Sequence, residues 1–156
     1  MTLNKIKSLK PEQYAWIIRS YFCLWLVKFQ IKFNGSNWLA TKLKFARAED
    51  ISKVTALDQL GHCRDMRQAM LMHESIRLAA RLHFSNAECL PRSIVLFDML
   101  NRNGKQVELK IGVAQDAKGA FASHAWVELS GLKVAEPESV GQQFIQIEQP
   151  DNGVSD

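Results

Sequence analysis

Cys89 opens an apolar stretch, CLPRSIVLFDMLNRNG, that closes at Gly104. His124 stands in FASHAWVEL and Glu136 follows in LKVAEPE. These residue types can do nucleophilic chemistry together. Backbone dipoles at a helix N-terminus favour a thiolate over a thiol. An imidazole within hydrogen-bond reach takes the thiol proton and later returns it. A carboxylate on the far side of the ring holds its orientation. Backbone N–H groups at the helix start face a developing oxyanion. Spacing alone is a weak signal. A lone cysteine on an apolar helix is more often a small buried hydrophobe, and a lone strand histidine is commonly structural. Glu128, on the strand face of His124, and Glu138 compete with Glu136 as the orienting acid.

These residues need a helix and a sheet to position them. Pro91 fits only a first helical turn, where a missing N–H costs little, so a helix starts between Ala87 and Leu90. Leu90, Ile94, Val95, Leu96, Phe97, Met99 and Leu100 bury it on most sides. The period then changes to two. Val107, Leu109, Ile111 and Val113 alternate with Glu108, Lys110, Gly112 and Ala114 in a first strand. The second strand shows Phe121, Ser123, Ala125, Val127 and Leu129 on one face, and Ala122, His124, Trp126 and Glu128 on the other. SG turns into LKVAE, and QQFIQIEQ is a last short strand.

Before the cysteine the chain reads as helices. Residues 12–33 place Tyr14, Ile18, Tyr21, Phe22, Trp25 and Phe29 on one face, and NGS breaks the pattern at Asn34–Ser36. A short amphipathic segment follows around Trp38. A helix capped by Asp50 then stops at Gly61, and a stronger one runs through RDMRQAMLMHESIRLAARLHF. Helices followed by an antiparallel meander define an α+β class. The expected division is a single domain over 1–149, with a helical part at 1–84, a catalytic part at 85–149 and a flexible tail at 150–156.

Bulk properties bound the function. The 156 residues suit one domain, and 47% hydrophobic with 23% charged residues is the balance of a globular protein. Cys23, Cys63 and Cys89 are an odd number at unrelated spacings, which argues for a reducing, cytoplasmic compartment. No C-x-x-C pair is present, so a structural zinc site is not expected. No other metal and no cofactor are expected either. The charge of +4 is uneven: residues 1–60 carry ten basic and four acidic side chains. No nucleic-acid motif accompanies them, so no nucleic-acid partner is expected. The longest uncharged run in the most apolar segment is Ser20 to Val27, far short of the ~20 residues that span a bilayer. The aromatic row on that segment exceeds what a small core needs; it either packs on the catalytic half or docks elsewhere, and membrane-surface contact is not the expected outcome.

The segment Cys89 to Glu136 resembles the transglutaminase-like cysteine protease of lasso-peptide biosynthesis, the split leader-peptidase subunit. CLPRS, LKIGV, FASHAWVE and the following SG carry the match. That family usually reads C-L-x-R-S/A-L, L-x-I-G-V and F-x-A-H-A-W-V-E. The resemblance implies a papain/transglutaminase-like core, with the nucleophilic helix packed on a small antiparallel sheet. It implies Cys89 as nucleophile, His124 as acid and base, and Glu136 at the acid position, where the family usually has Asp. Ser123 is a second departure, from Ala. It also implies a precursor peptide as substrate, a separate small leader-binding protein and a macrolactam synthetase as partners.

Around that triad, Arg92, one turn past Cys89, is a candidate for binding substrate or for anchoring the helix. His83 and Asn86 are candidate oxyanion donors, and Trp126 a candidate cleft wall or core residue. His62 and His73 read as structural or surface histidines, and Cys23 and Cys63 as inert. Two other functions fit the same residues: an acyltransferase of transglutaminase type, in which an amine replaces water, and a non-catalytic scaffold that holds a precursor.

Overall fold

The helical periodicity of the front half becomes two long helices in the computed structural model, which describes residues 11–47, 59–82, 88–115, 119–137 and 144–146. Helix α1 spans Pro11–Arg47 and α2 spans Gln59–Leu82. Gly35 leaves helical geometry inside α1, with φ 53° and ψ −143°, so NGS is a kink between two helices rather than a loop. Gly61 does not stop a helix; it lies in the first turn of α2. One glycine near a helix end costs only about 1 kcal/mol, which the packing of α2 offsets. The helix expected from Asp50 otherwise falls outside the described residues.

Helix α3, Cys89–Asn101, has Pro91 in its first turn and buries Ile94, Val95, Leu96, Phe97, Met99 and Leu100. It stands at the centre of the fold, against α1, α2 and the sheet. Leu24 and Val27 of α1 and Ala69, Met72, Ile76 and Ala79 of α2 close over it. Burying one large aliphatic side chain of this kind stabilises by about 1.5–3 kcal/mol. The buried side of α1 is therefore Ser20, Leu24 and Val27, not the aromatic row, most of which faces outward.

The sheet is antiparallel, in the order β3-β2-β1-β4, with β1 at Val107–Gln115, β2 at Phe121–Leu129, β3 at Leu132–Lys133 and β4 at Ile145–Gln146. The fold is α+β, as the change of period requires. Ser130 and Gly131 both have positive φ, 49° and 80°, the signature of a tight two-residue hairpin turn. The last strand departs from a simple meander: β4 pairs with β1, at Gly112 and Val113, on the edge away from β3. Val107, Leu109, Val127 and Leu129 join the helical core.

Candidate active site

Strand β3 is only two residues long and pairs with β2 only at Glu128 and Leu129. The earlier part of that β2 edge therefore needs other partners for its carbonyls, since an unpaired backbone group costs about as much as a lost hydrogen bond. Helix α3 supplies two of them. Ser93 Oγ donates to the Ala125 carbonyl at 2.7 Å, and the Cys89 thiol points at the Ser123 carbonyl at 3.9 Å. The Val134 amide completes the row at the Val127 carbonyl, at 2.9 Å. Cys89 and Ser93 are one helical turn apart, and Ser123 and Ala125 are one strand period apart. That match of spacings fixes the first turn of α3 along the strand and sets the cysteine beside the backbone that carries His124.

Cys89 is the first residue of α3. Glu88 is its N-cap, with extended ψ of 172° and no side-chain cap hydrogen bond. Arg92 Nε donates to the Glu88 carbonyl at 3.3 Å, which holds the guanidinium stem against this first turn. The helix start thus presents backbone N–H groups beside the thiol without a capping side chain over them.

His124 sits on the other face of β2, stacked on Trp126 at 6.1 Å between ring centres and tilted against Phe144 at 5.4 Å. Its partner across the ladder is Gly112. A β-carbon on Gly112 would stand 2.8 Å from the Phe144 β-carbon and 3.1 Å from the Trp126 ring. The glycine of LKIGV therefore leaves room for the two rings that flank the histidine. Trp126 Nε1 donates to Glu128 Oε1 at 2.9 Å, so Glu128 is engaged with the indole.

Glu136 is the acid beside His124. Its Oε1 is 3.2 Å from Nε2, with both side chains about one-fifth exposed. The distance is that of a hydrogen bond but the direction is not: Nε2 has no aligned partner among the described residues. The pair is in reach and out of line, a common condition of catalytic contacts before substrate tightens them. Ala135, just before it, has φ 59°, a left-handed conformation that costs a residue with a β-carbon about 1–2 kcal/mol. This reversal swings the chain after β3 back towards β2 and delivers Glu136 to the histidine.

A cavity of about 160 Å³ opens between α2, α3, the middle of β2 and the segment that follows β3. Cys89, Arg92, Ser93, Trp126 and Glu136 line it, and so does His73 of α2. His124 is not in its wall; it reaches the cavity through Glu136. Sequence reasoning missed two of these residues. Ser93 had a signal, its position one turn after Cys89. His73 had none, because only the packing of α2 on α3 brings it there.

Burial holds the His73 imidazole below its ordinary pKa of 6.5, and Arg92 and Arg77 push the same way against Glu74 and Glu136. The unfolded chain therefore takes up a proton below 6.5 that folded His73 refuses, and stability falls with pH until the folded group also titrates. His73→Gln should make the decline in Tm from about pH 7.5 to about pH 5 shallower. Parallel declines in the two proteins would remove His73 from the acid response.

The structure thus brings Cys89, Arg92, Trp126 and Glu136 to one cavity and places His124 against Glu136. Trp126 is both wall and core, 3% exposed. His83, Asn86 and Glu138 lie outside the described residues, as does the side chain of His62. Cys63 is exposed, and Cys23 is half-buried at a separate cavity between α1 and α3. Among the described residues no helix is long and apolar enough to cross a membrane.

A helix-borne cysteine docked on an antiparallel sheet, with a histidine on β2 and a carboxylate just past β3, is an arrangement suited to cysteine-dependent acyl transfer. The family model described as the transglutaminase-like superfamily matches residues 23–149, and the chain belongs to that superfamily. Membership gives its activity class as cysteine peptidase or acyltransferase. The match begins inside α1, so it takes in the helices as well as the sheet. No curated protein and no solved structure matches the chain.

Proposed function

We propose that this protein is a cytoplasmic cysteine peptidase that removes the leader from a ribosomally made lasso-peptide precursor. One observation carries the reading: Cys89, at the start of α3, shares a cavity with Glu136, which lies 3.2 Å from His124. The CLPRS, LKIGV and FASHAWVE motifs, which resemble those of the lasso-peptide leader peptidases, support this substrate. His124 takes the proton from Cys89, and the thiolate attacks the carbonyl at the leader–core junction. Backbone N–H groups of the first turn of α3 hold the oxyanion. With Nε2 turned to Glu136, Nδ1 is the nitrogen left to serve the thiol. His124 then protonates the leaving amine, which becomes the N-terminus of the core peptide. The leader remains on Cys89 as a thioester until water, deprotonated by His124, releases it as a carboxylate. Arg92, in the cavity wall, binds the substrate backbone or a carboxylate. A separate leader-binding protein delivers the precursor, and a macrolactam synthetase uses the new amine.

Mass spectrometry of precursor incubated with the protein and its leader-binding partner tests this. The expected products are one leader and one core fragment whose masses together exceed the precursor by one water. A leader fragment carrying an added primary amine, in place of the free acid, would assign the acyltransferase reaction instead. An intact precursor with partner present and the fold verified would overturn the reading.

A further inference from the structure

Helix α1 has two apolar faces. Ser20, Leu24 and Val27 enter the core. On the opposite side Tyr14, Ile18, Phe22, Trp25, Phe29 and Phe33 stand 38–65% exposed. At 100° per residue these six fall within an arc of about 100°, and from Tyr14 to Phe33 the row runs about 29 Å. Trp25 stacks near Phe29, and the Phe29 and Phe33 ring centres are 4.2 Å apart, so the row is continuous from Trp25 to Phe33. A helix that is apolar all round is ordinarily covered on all sides.

The charges say what kind of cover suits it. Between Pro11 and Phe33 the helix carries Arg19, Lys28 and Lys32 against the single acid Glu12. Arg19 borders the row on one side; Lys28 and Lys32 lie on the other, with Lys32 Nζ 6.0 Å from the Phe33 ring. A second copy of the chain would set this positive helix against another of equal charge. A protein partner must match six bulky side chains in shape. An anionic bilayer asks only for apolar depth and positive charge, and long basic side chains reach back from the apolar layer to the headgroups. Charged residues through the segment keep the helix from crossing, so it would lie along the surface.

We propose that α1 docks the protein, by its Tyr14–Phe33 row, on an anionic membrane surface. The row is separate from the cysteine cavity, so docking and turnover are independent readouts. Co-sedimentation of the full chain with vesicles tests it. Vesicles of phosphatidylcholine mixed with phosphatidylglycerol should bind about tenfold more tightly than phosphatidylcholine alone, and added salt should weaken binding. The exposed-site variant Trp25→Gln/Phe29→Gln should keep its circular dichroism and lose vesicle binding. Lys28→Glu/Lys32→Glu should lose the preference for anionic lipid. Absence of binding to either vesicle overturns the proposal, as does binding that survives in Trp25→Gln/Phe29→Gln. A wild-type dimer that the aromatic variant dissociates, with no vesicle binding, would assign the row to a second copy. Vesicle binding abolished by saturating amounts of an acidic protein partner, which alone keeps the chain in stable complex, would assign it to that protein.

Discussion

Cys89→Ala is expected to leave the protein folded and to abolish turnover, by about 10⁴-fold to 10⁶-fold in kcat, the loss seen when a hydrolase forfeits its nucleophile. Both halves of that expectation come from where the thiol sits. Its contact with the Ser123 carbonyl is long, 3.9 Å, and so worth little. The same docking of α3 is held by the stronger Ser93–Ala125 bond at 2.7 Å. Pro91 and the apolar run after it place the helix start without help from the cysteine. The melting temperature should therefore move by only a degree or two, an effect of about 0.5 kcal/mol. Cys89→Ser tests the chemistry more sharply. A hydroxyl can still donate to Ser123, so structure is kept, yet it is a far poorer nucleophile at neutral pH. Kinetics on the precursor, beside thermal melts of the same preparations, check both variants. Turnover that survives in Cys89→Ala would make this cysteine packing, and the scaffold reading would then stand first.

Why the first turn of α3 was readable in the sequence, and its surroundings were not, follows from the range of the interactions. Pro91 and the change from helical to strand period at Val107 are local signals, and α3, β1 and β2 lie where they point. Gly112 is legible as an oddity in a strand, but its reason is not: Phe144 and Trp126 reach it from distant parts of the chain. The left-handed Ala135 leaves no trace in residue type, since nothing about alanine announces positive φ. His73 was hidden for the same reason, as a helix face says nothing about which cavity it lines. Helix α1 was ambiguous at a deeper level. Its periodicity marks an aromatic face, and the pattern alone does not say whether that face packs inward or stays outside. The core instead takes Leu24 and Val27, because α1 is apolar on both sides and only packing against α2 and α3 chooses between them. The edge chosen by β4 is likewise a tertiary matter, decided at Gly112 and Val113.

The second large effect is expected at the histidine and its acid, and its form separates their roles. His124→Ala should cost about as much as loss of Cys89, because the two act as one unit. Glu136→Gln keeps the size of the side chain and removes its charge. It should lower kcat by about 10³-fold to 10⁴-fold, the cost of leaving an imidazole in the wrong tautomer and orientation. Glu136→Asp keeps the charge but draws the carboxylate back by about 1.5 Å, one carbon–carbon bond. From a contact already at 3.2 Å and out of line, that retreat breaks the pair, unless the strained turn at Ala135 follows it. Aspartate should therefore rescue only part of the loss, even though it is the commoner residue in the leader peptidases this chain resembles. The decisive measurement is the double variant. If Glu136 works only through His124, then His124→Ala/Glu136→Gln should be no slower than His124→Ala alone, a complete failure of additivity. Losses that multiply would show Glu136 acting on its own, as a wall of the cavity it shares with Arg92 and Cys89. The imidazole would then take its orientation from Trp126 and Phe144 alone.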